Sequence, residues 1–378
     1  MIISIKDSFK LIGVAVMTCC AVLVCNLFVN YLIDVSAIED SIVDVSMIAL
    51  YNAQVATAKV VCAVSGGCLI ITTVITLFFY IGRYVERRAR DIGILKAMGY
   101  TDIQIASRFA IFGLSALLGC AVGYALSYAL MPVFYAAQSK DMISLSFSFN
   151  PITLLIILLP PIVFSALAIL WAYRKMRLPV VDLLKERRNV KVKIRSRNKL
   201  CKSFLMQLAL NSLACNKGLV FFMAFSSFCF SSMTQMSISM TDISGVMFSV
   251  MILVIGLTLA FMTLLMSLSS VVKNHARDIA VMNACGWNYT DCSRALIGAY
   301  RPVAWLGFAV GSGYQYGLLK IAVEVIFKSV ESVNQFNFDW AALAISAASF
   351  ALVYESILYV YRIKLKRATL KSIVGSDA

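Results

Sequence analysis

Long uncharged segments constrain this chain more than any other feature of its sequence. Residues 11–33 contain no charged side chain, and a helix needs about 20 apolar residues to cross a bilayer. The whole chain is 61% hydrophobic and only 14% charged, whereas a soluble domain carries about 25% charged residues. The first segment is too long for a cleaved signal peptide, and no small-residue cleavage site follows it. The sequence therefore predicts an all-α integral membrane protein that keeps its first segment as an anchor.

Eight apolar segments are predicted to be transmembrane helices. They are residues 11–33, 59–82, 104–131, 152–172, 217–236, 243–272, 296–327 and 339–360. Because Lys6 and Lys10 precede the first segment, the positive-inside rule places the amino terminus in the cytoplasm. Eight crossings return the carboxyl terminus to the same side. We therefore expect a multi-pass protein of a bacterial-type cytoplasmic (plasma) membrane, with both termini in the cytoplasm.

The charge distribution agrees with this topology. The predicted cytoplasmic segment 174–202 carries 12 Lys or Arg residues against two acids, whereas the predicted outer segment 34–58 has four acids and no Lys or Arg. The positive-inside rule thus accounts for the net charge of +15, and nucleic acid is not expected as a partner.

Cysteine and histidine give no metal-binding pattern. Most of the eleven cysteines lie within apolar segments, and His275 is the single histidine. A buried cysteine commonly serves as a small apolar residue. We therefore predict neither a metal site nor disulfide bonds.

The chain contains an internal repeat. Residues 89–100 (ARDIGILKAMGY) and 276–287 (ARDIAVMNACGW) are identical at six of twelve positions. Two further pairs recur in the same order, namely GCAVG at 119–123 with GFAVG at 307–311, and YRKMRL at 173–178 with YRIKLK at 361–366. Three matches in the same order, at spacings of 187 or 188 residues, indicate a duplication.

The repeat predicts a first four-span half at residues 1–173 and a second at 203–378, joined by the basic linker 174–202. Because each half crosses the membrane an even number of times, the two four-helix repeats are expected to be parallel, related by an axis along the membrane normal.

The two ARDI segments are predicted to be short cytoplasmic helices between spans. In a helix over residues 86–98, the apolar positions Ala89, Ile92, Leu95 and Met98 recur at three-residue spacing. Gly99 and Gly286 are natural helix stops. Thr101 with Gln104 makes a capping box in the first copy, and Asn288 or Thr290 can cap the helix after the second. Each segment is either an interfacial helix anchored by basic residues or a docking surface for a twofold partner.

The stretch ERRARDIGILKAMGY resembles the FtsX-like permease domain of ABC transporters, as do the exits YRKMRLPVVDLLKE and YRIKLKRATLKSI and the entry LALNSLACNKG at 208–218. This resemblance implies that Glu86–Gly99 and Asn274–Gly286 are coupling helices that dock on an ATPase. The docking residues it assigns are Glu86, Arg87, Arg88, Arg90, Asp91, Ile92, Leu95, Lys96, Met98, Gly99, Arg277, Asp278, Ile279, Met282 and Gly286. The second copy departs from the pattern, because Asn274 and His275 replace the arginine pair and Asn283 replaces Lys96.

The partner set also follows from the resemblance. The chain lacks the phosphate-binding pattern G-x-x-x-x-G-K-[ST]. We therefore expect that it is not an enzyme and binds no cofactor. It is expected to depend on a separate ABC ATPase, a dimer, that binds ATP and magnesium. The lipid bilayer is a further partner, and a second permease chain is a candidate one.

Two other sets of residues have alternative interpretations. Gly119 with Gly123 and Gly307 with Gly311 can let helices approach closely, either within each half or at the seam between the halves. Arg301 and Glu355 lie within predicted spans and either form an intramembrane ion pair or extend separately to the inner surface.

Three classes of function follow. The first is a permease subunit that couples ATP hydrolysis to export or extraction of a hydrophobic or peptide-like substrate by mechanotransmission. The second is an ATPase-driven signalling or regulatory module that transports nothing. A membrane enzyme is the least favoured, because no paired acids or nucleophile–base arrangement is apparent in the sequence.

Overall fold

A computed structural model describes residues 8–37, 89–107, 111–138, 204–244, 246–326 and 339–367, with scattered residues in 51–82 and 153–174. The predicted second and fourth spans fall mainly outside the described residues, as do the linker and the docking candidates Glu86, Arg87 and Arg88. Every regular element in the described ranges is a helix.

The helices are numbered in chain order. They are α1 (Ser8–Ser36), α2 (Ala89–Ala97), α3 (Asp102–Ser107), α4 (Ile111–Gln138), α5 (Phe204–Cys215), α6 (Lys217–Ser244), α7 (Val246–Ala284), α8 (Tyr289–Leu296), a 3-10 turn (Gly298–Tyr300), α9 (Arg301–Ile326) and α10 (Trp340–Arg367).

Five helices are long and apolar enough to cross a membrane, and they correspond to predicted spans one, three, five, six and eight. They cover Ile12–Ser36, Gly113–Ala136, Lys217–Ser239, Ser249–Ala284 and Trp340–Ile363. The predicted seventh span is the 26-residue helix α9, which is about 39 Å long at 1.5 Å per residue. It is long enough to cross, but Arg301, Lys320 and several polar residues make it less apolar than the other five.

The predicted seventh span begins later than expected. It was predicted from residue 296, but α9 begins at Arg301. The end of α8 and the 3-10 turn at Gly298–Tyr300 come before it. Hydropathy included these residues in the span because most of them are apolar. Residues 108–110, between α3 and α4, lie outside the described residues.

The second ARDI segment is not a separate helix. It forms the end of α7, which continues for 39 residues from Val246 to Ala284. A helix of that length extends about 58 Å, far more than the roughly 30 Å of a bilayer hydrocarbon core. The prediction of a short independent helix was therefore wrong for this copy, because no helix-breaking residue separates the apolar span from the polar segment.

The described helices group into two compact units. The first unit comprises residues 1–186, 233–259 and 313–342, and the second comprises 187–232, 260–312 and 343–378. The chain passes between the units at five points: one, after Glu186, lies in the predicted linker, and the other four lie within helices. The division of the sequence into two halves therefore stays a prediction.

In the first unit, α1 and α4 pack in parallel along their length. A side chain at Gly123 would meet the Cys19 carbonyl oxygen at 2.5 Å, and one at Gly119 would overlap Ala15 and Thr18. Polar contacts continue the interface, since Asn26 Nδ2 donates to Ser127 Oγ at 2.5 Å. Further along, the Tyr135 hydroxyl donates to Asp34 Oδ2 at 2.6 Å. Two parallel helices imply a return crossing between them, which agrees with the predicted second span.

The second unit repeats this arrangement with α6 and α9. A side chain at Gly311 would meet the Phe228 carbonyl oxygen at 2.6 Å, and one at Gly307 would overlap the backbone of Ala224. Ser231 Oγ and Ser312 Oγ lie 2.9 Å apart in the same interface. The glycine pairs therefore pack against the first predicted span of their own half, which is the simpler of the two alternatives.

An aromatic core closes the second unit between α6, α9 and α10. The ring of Phe350 lies 5.5 Å from that of Phe230 and 5.1 Å from that of Phe308. Helix α7 runs antiparallel to α6, with Ser226 Oγ donating to the Thr263 carbonyl oxygen at 3.3 Å. The buried apolar cluster that contains these three rings also includes Val271, Val272 and Ile279 of α7, so it holds the inner end of that helix, where the second ARDI segment lies.

Candidate functional site

The first ARDI segment ends in a two-bond helix stop. Gly99 has φ +89°, a conformation that glycine adopts without steric cost. The Gly99 N–H donates to the Lys96 carbonyl oxygen at 3.1 Å, and the Tyr100 N–H donates to that of Leu95 at 3.2 Å. These two bonds define a Schellman motif, which ends α2 sharply.

The second segment ends in the same motif. Gly286 has φ +92°, its N–H donates to the Asn283 carbonyl oxygen at 3.1 Å, and the Trp287 N–H donates to that of Met282 at 3.1 Å. The predicted helix stops at Gly99 and Gly286 are both confirmed. The same backbone device thus recurs 187 residues apart.

The helix caps after the two stops differ. In the first copy, the Thr101 N–H donates to Gln104 Oε1 at 3.1 Å and the Gln104 N–H donates to Thr101 Oγ1 at 3.4 Å, which confirms the capping box. In the second copy, Asn288 is the cap, and its Oδ1 accepts from the Thr290 N–H at 3.5 Å. Of the two candidates for this cap, the structure selects Asn288.

The turns are also held by different side chains. Lys96 Nζ lies 3.0 Å from Asp102 Oδ1 across the first turn. The equivalent positions in the second copy are Asn283 and Tyr289. The Tyr289 hydroxyl donates instead to the Arg362 carbonyl oxygen at 3.1 Å, and burial raises the pKa of this tyrosine, an effect that the positive charge of Arg362 opposes.

The two segments are buried at equivalent positions. Ile92 and Ile279 are each 1% exposed and anchor their segments to the protein. Two residues later the pattern reverses, because Ile94 is 45% exposed and Val281 is 52% exposed. A duplicated sequence has therefore kept a duplicated pattern of burial.

Exposed side chains at the two turns form surfaces that we name the first tip and the second tip. The first tip consists of Ile94, Met98, Tyr100 and Ile103, and the second consists of Val281, Cys285, Trp287 and Thr290. All eight are exposed, and each residue of one tip occupies the position equivalent to a residue of the other. The first tip is the more apolar, since a methionine and an isoleucine stand where the second has a cysteine and a threonine.

The predicted apolar face needs correction. Residues three apart on a helix with 3.6 residues per turn drift by about 60° per step, so Met98 lies about 120° from Ile92 around α2. Ile92 and Ile279 were assigned to the docking set, but both face the protein interior. Leu95 and Met282 are half-buried. The exposed apolar residues sit on the other side of the segment.

The polar docking candidates have mixed positions. Asp91 and Lys96 are half-buried, and Asp278 is exposed. The structure places the backbone of Arg90 and Arg277 in helices but does not describe their side chains. These docking assignments remain predictions.

His275, to which the sequence assigned no role, connects the second ARDI segment to neighbouring helices. His275 is buried, with Nε2 3.2 Å from the Tyr300 hydroxyl and 3.3 Å from Ser212 Oγ. Its Nδ1 lies 3.4 Å from Asp278 Oδ2. Near the turn, the Phe204 ring stacks on Trp287 with centroids 5.6 Å apart. These contacts join the end of α7 to α5 and to the 3-10 turn before α9. Contacts over such sequence separations leave no local signal, so only a histidine within an apolar chain could have drawn attention to this position.

Arg301 and Glu355 are brought together in the second unit. Arg301 Nη2 donates to Glu355 Oε2 at 2.7 Å, and the two side chains are 40% and 51% exposed. The pairing alternative therefore describes this geometry better than separate extension to the surface. Within the described residues, no group of three or more His, Cys, Asp or Glu side chains could hold a metal ion.

Comparison with known proteins identifies the family. The family model described as FtsX-like permease C-terminal matches residues 63–178 and 250–370, so the matches begin with the same 187-residue spacing as the ARDI segments and together cover more than half of the chain. Neither a curated protein nor a solved structure matches it. The chain thus belongs to the FtsX-like permease family, as a multi-pass membrane subunit of the ABC transporter type.

Proposed function

We propose that this chain is the permease subunit of an ABC-type complex whose separate ATPase, a dimer, docks on the two tips. The ATPase binds ATP and magnesium, and its opening and closing move the tips. The membrane helices then transmit that movement to export or extract a hydrophobic or peptide-like substrate. In this proposal both termini and both tips lie in the cytoplasm of a cell with a plasma membrane of bacterial type, and a second permease chain can complete the complex.

The observation that carries the proposal is the matched burial of the two segments. Each segment has a buried isoleucine as its anchor, an exposed apolar tip and a glycine stop with positive φ. Exposed apolar groups at the polar end of a membrane helix favour contact with another protein. Two such tips at equivalent positions suit a partner that itself has twofold symmetry.

The continuous helix α7 supplies a route for transmission. Because the second tip follows directly from a 39-residue helix, a displacement at the tip moves the membrane part of the same helix. His275 ties this inner end to Tyr300, immediately before α9. A force at the second tip would therefore reach α7 and α9 together, which supports mechanotransmission rather than a channel that opens for solutes.

The tips are expected to contribute unequally. The first tip offers Met98 and Ile103 to a partner, whereas the second offers Cys285 and Thr290 at the same positions. Burying a larger apolar area gives more favourable binding, at roughly 25 cal/mol per Å². The first tip should therefore bind the ATPase more tightly.

Substitution at Met98 tests the docking step. A purified complex of the tagged chain with its ATPase should lose most of the ATPase when Met98→Glu is introduced, because binding would then desolvate a carboxylate. Met98→Leu is the matched control and should retain the ATPase, since it keeps a similar apolar side chain. Equal retention by both variants would show that this surface does not dock the ATPase.

A second assay separates transport from regulation. The purified complex in nanodiscs should hydrolyse ATP faster when amphipathic peptides, lipopeptides or candidate lipids are added, because binding of a transported substrate accelerates the ATPase cycle. ATPase activity that no such compound changes would favour the regulatory module over the permease.

A further inference from the structure

A cluster of basic and hydroxyl groups lies beside the Arg301–Glu355 pair in the second unit. Glu355 and Arg362 are seven residues apart, two turns along α10, and so lie on one face of that helix. The Tyr354 hydroxyl interacts electrostatically with Arg301, Glu355 and Arg362. Arg301 and Arg362 carry two positive charges against the single carboxylate of Glu355, which leaves the cluster with an excess positive charge.

The cluster has more hydrogen-bond donors than acceptors. Within the described chain, Arg301 Nε, Arg362 Nε and Nη2 and the Tyr354 hydroxyl have no hydrogen-bond partner. Tyr354 is only 2% exposed, and a buried polar group without a partner is costly. The single carboxylate is already engaged with Arg301 Nη2 at 2.7 Å. The groups that this cluster lacks are oxygen acceptors that carry negative charge.

The cluster sits at the depth of lipid headgroups. On α9, Arg301 and the exposed Lys320 are 19 residues apart, or about 28 Å along a helix. This spacing matches the roughly 30 Å thickness of the hydrocarbon core, so the two charges mark its borders. Arg301 then lies at the inner border, and Arg362 lies about 10 Å further toward the cytoplasm.

The cluster is also open on the side of α10 that faces away from the core of the unit. Leu352 and Tyr359 are exposed on either side of Glu355 along the helix. Arg301 and Glu355 are themselves 40% and 51% exposed. An apolar surface therefore continues from the charged groups toward the membrane centre, where acyl chains would lie.

We propose that Arg301 and Arg362, beside the buried Tyr354, form a binding site for the phosphate of an anionic phospholipid in the inner leaflet. The guanidinium groups donate to the phosphate oxygens, and the acyl chains lie along the exposed face of α10. Glu355 competes with the phosphate for Arg301. Arginine suits this role because its planar group can donate two hydrogen bonds to a phosphate at once.

The site belongs to the second half of the chain. At the repeat spacing of 188 residues, Gly113, Ala166 and Leu167 stand where the second half has Arg301, Tyr354 and Glu355. Only Arg362 has a basic equivalent, Arg174. The inference does not depend on ATPase docking, since none of its residues belongs to either tip.

Fluorescence quenching in nanodiscs tests the site. Trp305 is exposed one turn from Arg301, so the chain with Trp171, Trp287 and Trp340 replaced by Phe carries one reporter beside the cluster. Two samples of phosphatidylcholine nanodiscs are compared. One contains a small fraction of brominated phosphatidylglycerol, and the other contains the same fraction of brominated phosphatidylcholine. A basic residue near the membrane surface contributes about 1 kcal/mol of attraction, so the excess positive charge predicts that the anionic lipid is about fivefold enriched at Trp305.

Three variants decide between a site and general attraction. Arg362→Gln should abolish the enrichment while leaving the Arg301–Glu355 pair in place. Arg294→Gln is the matched control, because it removes one exposed positive charge from the nearby helix α8 and should leave the enrichment unchanged. Glu355→Gln should increase the enrichment by removing the competing carboxylate.

Four results would overturn the inference. The first is no enrichment of the anionic lipid beside the unaltered cluster, and the second is an equal loss of enrichment in Arg362→Gln and Arg294→Gln. The third is a decrease in enrichment in Glu355→Gln. The fourth is release of the brominated lipid by glycerol phosphate at constant ionic strength. The last result would reassign the cluster to a soluble phosphate compound.

Discussion

Replacing Gly307 with alanine should weaken the packing of α9 on α6, and Gly313 on the same helix offers a matched control. A methyl group at Gly307 would overlap the backbone of Ala224, which cannot rotate away as a side chain could. A methyl group at Gly313 would meet nothing within 4 Å. The two substitutions are chemically identical and lie in one helix.

The difference between the two variants isolates the packing energy. Alanine is favoured over glycine in a helix by about 1 kcal/mol, and this gain is common to both variants. Overpacking a tight contact costs about 1–3 kcal/mol. The Gly307→Ala protein should therefore be about 1–3 kcal/mol less stable than Gly313→Ala, which corresponds to about a 5- to 150-fold difference in the unfolding equilibrium constant at 1.36 kcal/mol per decade.

Reversible unfolding in mixed detergent micelles, followed by circular dichroism, measures this difference. We expect the unfolding midpoint of Gly307→Ala to fall and that of Gly313→Ala to stay or rise. The reasoning would be refuted if the two variants unfolded together, because the close approach of α6 and α9 would then carry no energetic consequence.

Two further predictions concern the helix stops and the ion pair. Gly99→Ala and Gly286→Ala should each destabilise the protein by about 1–2 kcal/mol, because an L residue is disfavoured in the left-handed region even where open space surrounds it. The thermal unfolding midpoint should fall by a similar amount in the two variants. An unchanged midpoint would contradict the positive φ at these positions. Arg301→Gln should lower the thermal unfolding midpoint more than the double variant Arg301→Gln/Glu355→Gln does. The single substitution leaves the carboxylate unpaired at the membrane border, whereas the double variant removes both charges. The opposite order would show that the pair contributes little to stability.

The sequence was sufficient for features that depend on local chemistry. The apolar run around residues 11–33 predicted α1, and the glycines at 99 and 286 predicted the stops of both segments, because positive φ strongly favours glycine. Thr101 with Gln104 likewise predicted a cap whose bonds involve residues only three apart. Each of these inferences needs only neighbours along the chain.

Features that depend on tertiary packing could not be predicted. Hydropathy placed the start of the seventh span at residue 296 and so included the 3-10 turn at Gly298–Tyr300, because the buried contacts that form this turn leave no local signal. The exposed side of α2 was misassigned because apolar residues exist on both sides, and only packing shows that Ile92 is buried and Met98 is exposed. The contacts of His275 with Ser212 and Tyr300 join residues 63 and 25 positions away.

Cross-linking from the tips to the ATPase tests the central claim most directly. Cys285 is an exposed cysteine of the second tip, Met98→Cys supplies its equivalent in the first, and the exposed Cys215 on α5 serves as the control. Each cysteine is kept alone in an otherwise cysteine-free chain, modified with a photoactivated thiol reagent and irradiated in the complex with the ATPase. We expect cross-links to the ATPase from both tips and none from Cys215. Failure of both tips to cross-link, or equal cross-linking from Cys215, would contradict docking at the tips.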